Sequence, residues 1–285
     1  MNKQLAFFSL FFLMGLTANA TGNASGNASG NTSIAGSIST NKPIIYCADA
    51  SPEGFDPGLW DSASTSNVTN QMFQGLLTFK RGTTELVPQL AQSWTFSSDA
   101  KSLRFVLRDN VRFHQTPYFT PTRTLNADDV MFTFERMTNP QHVFNKAFPA
   151  SFIYPQSLGL AAQISSIKKI DQRTVDFELK TANAAFLSYF AMAFSAIHSA
   201  EYAQQLLLKK RAADINNYPI GTGPYRFRSY KKDDVIRMEA NPDYWRGPQI
   251  TQKLIYSISR EPNVRVQKLR LGECNITAPI RDVDI

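Results

Sequence analysis

The sequence predicts an α/β chain, and two patterns carry that prediction. Leu103, Phe105 and Leu107 alternate with Arg104, Val106 and Arg108, and Val175, Phe177 and Leu179 repeat the alternation. A period of two is that of a strand with one buried face. Between these runs, Val130, Met131, Phe134 and Met137 lie on one helical face. A start signal precedes that face. Asn126 can cap the free amides, Asp128 and Asp129 favour the positive end of the dipole, and Leu125 and Val130 occupy the two staple positions.

The chain has 285 residues, 43% hydrophobic and 19% charged, enough for one large or two smaller domains. Thirty basic against 23 acidic residues give a net charge of +7. The basic residues are scattered, and the densest run, 209–211, reads as a solvated helix end. Nucleic acid is therefore not an expected partner. Zinc-ligand spacing, a Walker loop and G-x-G-x-x-G are all missing, so neither a metal nor a cofactor is expected.

In chain order, residues 1–20 read as a secretory signal peptide. Lys3 is the positive start, 5–16 the apolar core, and Ala18-Asn19-Ala20 the cleavage site. Residues 21–40 repeat Gly, Asn and Ser and read as a flexible tether. A strand at 42–46 ends at Cys47, and 51–57 is a turn-rich loop. Helical spacing follows over 68–77, then a strand at 77–79 and a turn at 81–83. The strand at 103–108 should form a hairpin with Val111-Arg112-Phe113 across Asp109-Asn110. Pro140 ends the next helix, and 141–155 reads as irregular. Residues 164–179 form a second hairpin, 184–193 a buried helix, and Ser199 caps a helix to about Lys210. The loop at 218–225 holds Gly221 and Gly223, which allow close backbone approach. A hairpin over 227–238, a turn at 241–247 and a strand at 254–258 follow. Pro262 and Gly272 bracket a final helix, and Cys274 opens an extended end.

The chemistry-bearing residues are few. The histidines are His114, His142 and His198, but no nucleophile elbow accompanies them, so no catalytic residue is assigned. His114, at a strand end, reads as structural. Cys47 and Cys274 remain after signal cleavage in an oxidising compartment and read as a disulfide, with two buried free thiols as the alternative. The loops at 51–55, 60–64 and 221–223 are either ligand loops at a sheet edge or ordinary turns.

Several motifs add a resemblance. A-x-S-W, S-x-D, F-x-L-R-x-x-V-x-F-H and N-A-D-D-V-x-F-x-F lie within 87–137, and S-P-E-G-F-D-P, P-I-G-T-G-P-Y, D-Y-W-R-G and L-R-L-G-E-C lie outside it. Together they resemble family 5 of the extracytoplasmic solute-binding proteins, the peptide-, oligopeptide- and nickel-type subunits of ABC importers. The dipeptide-binding and SapA-type branches are the nearest in wording.

The resemblance implies a type II periplasmic binding protein fold, with two α/β lobes and, in the peptide branch, an inserted domain. The first lobe would comprise 43–74 and 223–285, and the inserted mixed α/β domain 75–222. The second lobe, and the charged pair that fixes peptide termini there, would be absent, so the chain is expected to be truncated. The resemblance supports the Cys47–Cys274 pairing and places a first-lobe ligand rim at Trp60, Asp61 and Ser62. It implies a monomeric periplasmic binder, not an enzyme, that passes short peptides to an ABC permease. Alternatives are a non-binding remnant or interaction protein, a binder of nickel, haem or antimicrobial peptide on the same fold, and a secreted hydrolase.

Overall fold

The structure is a computed structural model, and it describes residues 42–60 and 62–280. The signal peptide and tether expected at 1–40 lie outside the described residues. The elements in order are β1 (Ile44–Ala48), α1 (Ala63–Met72), β2 (Leu77–Phe79), β3 (Leu86–Pro88), β4 (Ala91–Phe96) and β5 (Ser102–Leu107). Then come α2 (Ala127–Thr138), α3 (Val143–Ala147), α4 (Ile153–Ser157), α5 (Leu160–Gln163), β6 (Ile164–Lys169), β7 (Thr174–Leu179), α6 (Phe186–Tyr189) and α7 (Ala200–Leu208). The chain closes with β8 (Tyr225–Lys231), β9 (Val235–Ala240), β10 (Lys253–Ile258), α8 (Pro262–Arg270) and β11 (Ile276–Thr277).

These strands build a five-stranded mixed sheet ordered β11-β1-β10-β9-β8, a four-stranded sheet ordered β4-β5-β7-β6 and the pair β2-β3. In the larger sheet β1 runs parallel to β10 and β11, while β10-β9 and β8-β9 are antiparallel. The four-stranded sheet is antiparallel throughout.

Each sheet has its own core. The alternation at Leu103, Phe105 and Leu107 buries those three side chains, and Phe105, Phe134, Phe177 and Phe190 pack around one another there. Centroid separations of 4.6–4.9 Å place these rings in the favoured tilted or edge-on range. The larger sheet packs Ile236, Met238 and Tyr256 with Val68 and Met72 of α1 and with Phe55.

The start of α2 follows the expected chemistry and adds to it. Asn126 caps the helix, and Asp129 completes a capping box. Asp129 is buried and does more than complement the dipole. Its carboxylate accepts from Arg123 at 2.7 and 2.9 Å, from the Asn126 amide at 2.9 Å and from the Ala200 amide at 2.8 Å. One side chain therefore joins the N-termini of α2 and α7. Ser199 caps α7, Pro262 opens α8, and Gly272 follows α8 with φ +73°, all as expected.

Four boundaries differ from the sequence reading. Residues 111–113 do not pair with β5, whose partners are β4 and β7; Arg112 bridges Thr124 instead. The first helix begins at Ala63 and ends at Met72, one turn before its apolar spacing stops. The stretch read as irregular holds the short helices α3 and α4. Within residues 184–193 the α-helix is only the four-residue α6, with Phe186 and Phe190 buried, and a 3-10 turn begins at Ala193.

Cys47 and Cys274 are disulfide-bonded, with Cα atoms 5.9 Å apart. The bond ties β1 to the segment entering β11. Among the described residues, no helix is long and apolar enough to cross a membrane.

Candidate functional site

Because β1 and β10 are parallel, their following loops leave at one edge of the sheet, where α/β sheets gather ligand loops. The β8-β9 turn reaches the same edge. There Ser51 Oγ donates to Asp233 at 2.9 Å, and Arg260 donates to the same Asp233 oxygen at 2.8 Å. These charges satisfy one another at the surface and anchor the beginning of the loop that leads to α1.

Further along that loop, Asp56 is fully buried. Its carboxylate accepts from the Gly58 amide at 2.9 Å and from Arg136 of α2 at 2.8 and 3.2 Å. His198 Nε2 stands 3.2 Å from the same carboxylate. Burial alone would raise the Asp56 pKa, but Arg136 and His198 beside it together outweigh burial and hold the acid well below the usual carboxylate range. Burial pushes the His198 imidazole down from its ordinary value, against the pull of Asp56. Arg136 is itself enclosed, 5.1 Å from the Phe152 ring centre and 5.5 Å from that of Phe132.

This anchor sets the position of Trp60. The indole Nε1 donates to Asn216 Oδ1 at 3.0 Å, and the same oxygen accepts from the Phe55 and Asp56 amides at 3.1 Å each. Trp60, 36% exposed, forms one wall of a groove of about 300 Å³. Pro57, Phe79, Tyr154, Met192 and Phe194 supply most of the rest. Tyr154 stacks on Phe194 with the ring planes 9° apart.

The other two predicted rim residues fare differently. Ser62 is the N-cap of α1: its hydroxyl accepts from the Thr65 amide at 3.2 Å and donates to Glu53 at 2.6 Å. Thr65 Oγ1 donates to the same Glu53 oxygen at 2.6 Å. Burial raises the Glu53 pKa, and these two hydroxyls more than offset it, so the group sits below its ordinary value. Asp61 lies outside the described residues.

The glycine loop at 221–223 serves an internal approach. A Cβ on Gly221 would lie 2.0 Å from the Met72 carbonyl oxygen, and one on Gly223 2.6 Å from that of Gln71. His114 clasps this loop from the other side. Its Nδ1 accepts from the Gly221 amide at 3.3 Å, so its Nε2 carries the proton and donates to the Gly223 carbonyl at 3.0 Å. Burial pushes this imidazole down to about 4. The histidine that ends the strand motif is thus a neutral two-way clamp.

Sequence reasoning singled out Trp60, which borders the groove, and missed the group that holds its loop. Asp56 was legible only as part of a turn, and Arg136 falls two residues from Phe134 on an apparently ordinary amphipathic helix. Nothing in their spacing marks them as partners.

Residues 85–285 match the family described as bacterial extracellular solute-binding proteins, family 5 Middle. The chain belongs to that family. It is 46% identical over 244 residues to Di/tripeptide-binding protein 1 of Pseudomonas aeruginosa (strain UCBPP-PA14), a match covering 85% of this chain and 45% of the relative. It is 39% identical to the dipeptide-binding protein of Escherichia coli (strain K12), covering 89% of this chain and 47% of that protein. The fold is that of the type II periplasmic binding proteins. The structure of a dipeptide-binding protein from Pseudoalteromonas sp. SM9913 in complex with Met-Leu superposes with a TM-score of 0.83 at 36% identity, covering 86% of this chain and 48% of that one. The chain thus spans about half the length of the proteins it matches.

Proposed function

We propose that this chain is part of the substrate-binding component of a peptide ABC importer. It captures short peptides in the periplasm and delivers them to the membrane permease as a monomeric binding module, not an enzyme. The observation that carries this reading is the 46% identity to a di/tripeptide-binding protein across 85% of the chain. A neighbour of the same fold holding Met-Leu supports the same ligand class. In this reading the larger sheet, 43–74 with 223–285, is a first lobe, and 75–222 is an inserted domain. The separate hydrophobic cores of the two sheets support that division. Residues 1–20 act as a cleaved signal peptide. Trp60, Asp61 and Ser62 form the first-lobe rim of the peptide cleft.

Calorimetry of the full-length form with a panel of di- and tripeptides tests the proposal. Saturable heat with short peptides is the expected result, and no heat with any of them overturns it. Nickel and haem are added in parallel melts, where a ligand of the native state raises the midpoint.

A further inference from the structure

The groove beside Trp60 has features that the peptide reading does not by itself require. Trp60, Phe79 and Tyr154 are 36, 39 and 43% exposed, and all three border this one concavity. None of its lining side chains among the described residues carries a charge. Its volume of about 300 Å³ is at the lower end of the range for whole small-molecule sites, a size suited to part of a ligand. The walls are also fixed before any ligand arrives. Trp60 is hydrogen-bonded to Asn216, whose oxygen is in turn held by two backbone amides, and Tyr154 rests on Phe194. A rigid aromatic wall loses little freedom on binding. Met192, an unbranched and adaptable side chain, lies among these rings and can follow the shape of more than one guest.

We infer that this groove is a specificity pocket, selecting short peptides that carry an aromatic or branched aliphatic side chain. The inference rests on the peptide-binding reading and narrows it. An acidic side chain entering the groove would lose water and gain no partner among the described lining residues, so the groove disfavours it. An alanine side chain would leave most of the wall bare, forfeiting the burial that favours the larger guest.

The test is calorimetry of the full-length form with Leu-Leu, Phe-Phe, Ala-Ala and Asp-Asp, repeated with Trp60→Ala, Trp60→Phe and Tyr154→Ala. Leu-Leu and Phe-Phe are expected to bind roughly tenfold to a hundredfold more tightly than Ala-Ala, the discrimination an apolar pocket gives. Trp60→Ala and Tyr154→Ala are expected to collapse that ratio toward one, and Trp60→Phe to keep most of it. Tyr154 is on α4, outside the loop that carries Trp60, so its variant tests the groove even if Trp60→Ala disturbs that loop. Equal affinities for Leu-Leu and Ala-Ala overturn the inference and leave the peptide reading intact. A ratio unchanged in both alanine variants does the same. Absence of heat with every peptide overturns the peptide reading and the inference with it.

Discussion

Acid should loosen this fold through His114, and the size of the effect follows from its surroundings. The ring is fully buried, accepts at Nδ1 from the Gly221 amide and donates from Nε2 to the Gly223 carbonyl. A second proton would have to sit on Nδ1, where it meets another N–H. The folded pKa is about 4, against roughly 6.5 in the unfolded chain. With the folded value the lower one, the unfolded state takes up the proton first as pH falls. Stability from this group is intact above about pH 6.5, declines between about 6.5 and 4, and is constant below. Two and a half units at 1.36 kcal/mol each make the loss about 3 kcal/mol.

The measurement is urea unfolding of the parent and His114→Gln from pH 7 to pH 4, extrapolated linearly to water. The glutamine amide does not titrate, so the stability gap between the two proteins should narrow by about 3 kcal/mol as pH falls. His198, whose imidazole burial also pushes down, is common to both proteins and cancels in the difference. A gap that stays constant across the range would refute the assignment of His114 as a buried neutral clamp.

Three further outcomes are expected. Arg136→Met leaves the Asp56 carboxylate buried without its partner and should cost about 3–5 kcal/mol in denaturant unfolding; adding Asp56→Asn should recover much of it. Replacing both Cys47 and Cys274 by Ser opens a 227-residue separation and should lower stability by about 5 kcal/mol on the chain-entropy account, read as a shift in the urea midpoint at constant slope. Gly221→Ala places a methyl 2.0 Å from the Met72 carbonyl, a backbone atom that cannot swing aside, so a loss of at least about 1–3 kcal/mol is expected in the same assay.

What the sequence made legible was local. Asn126, Ser199, and the Pro262 and Gly272 pair mark helix ends through chemistry that acts within a few residues. The alternation in β5 and β7 is likewise a short-range pattern. Strand order was not legible, because β1 pairs with β10 across about two hundred residues and periodicity says nothing about partners. Helices α3 and α4, at five residues each, are too short to show a face. Val111-Arg112-Phe113 alternates like a strand, yet Val111 and Phe113 are buried through contacts outside any ladder with β5. Alternation reports which side chains are inside, and only indirectly how the backbone is paired.

The site shows the same division between local signal and distant partner. Trp60 was singled out through the family resemblance, but its placement depends on residues that no local pattern connects. The loop is held near its start by Asp233, in its middle by Arg136 and Asn216, and at its end by the Ser62 cap on α1. Two of these holds, Arg136 and Asn216, come from the segment between β2 and β8, across from the sheet that supplies the loop itself. The Trp60 wall of the groove is therefore referenced to both sheets at once, and the buried Asp56–Arg136 pair is one of the links between them. Loss of that pair should reach the groove as a displacement of Trp60, so Arg136→Met should alter the indole's environment even where the fold survives.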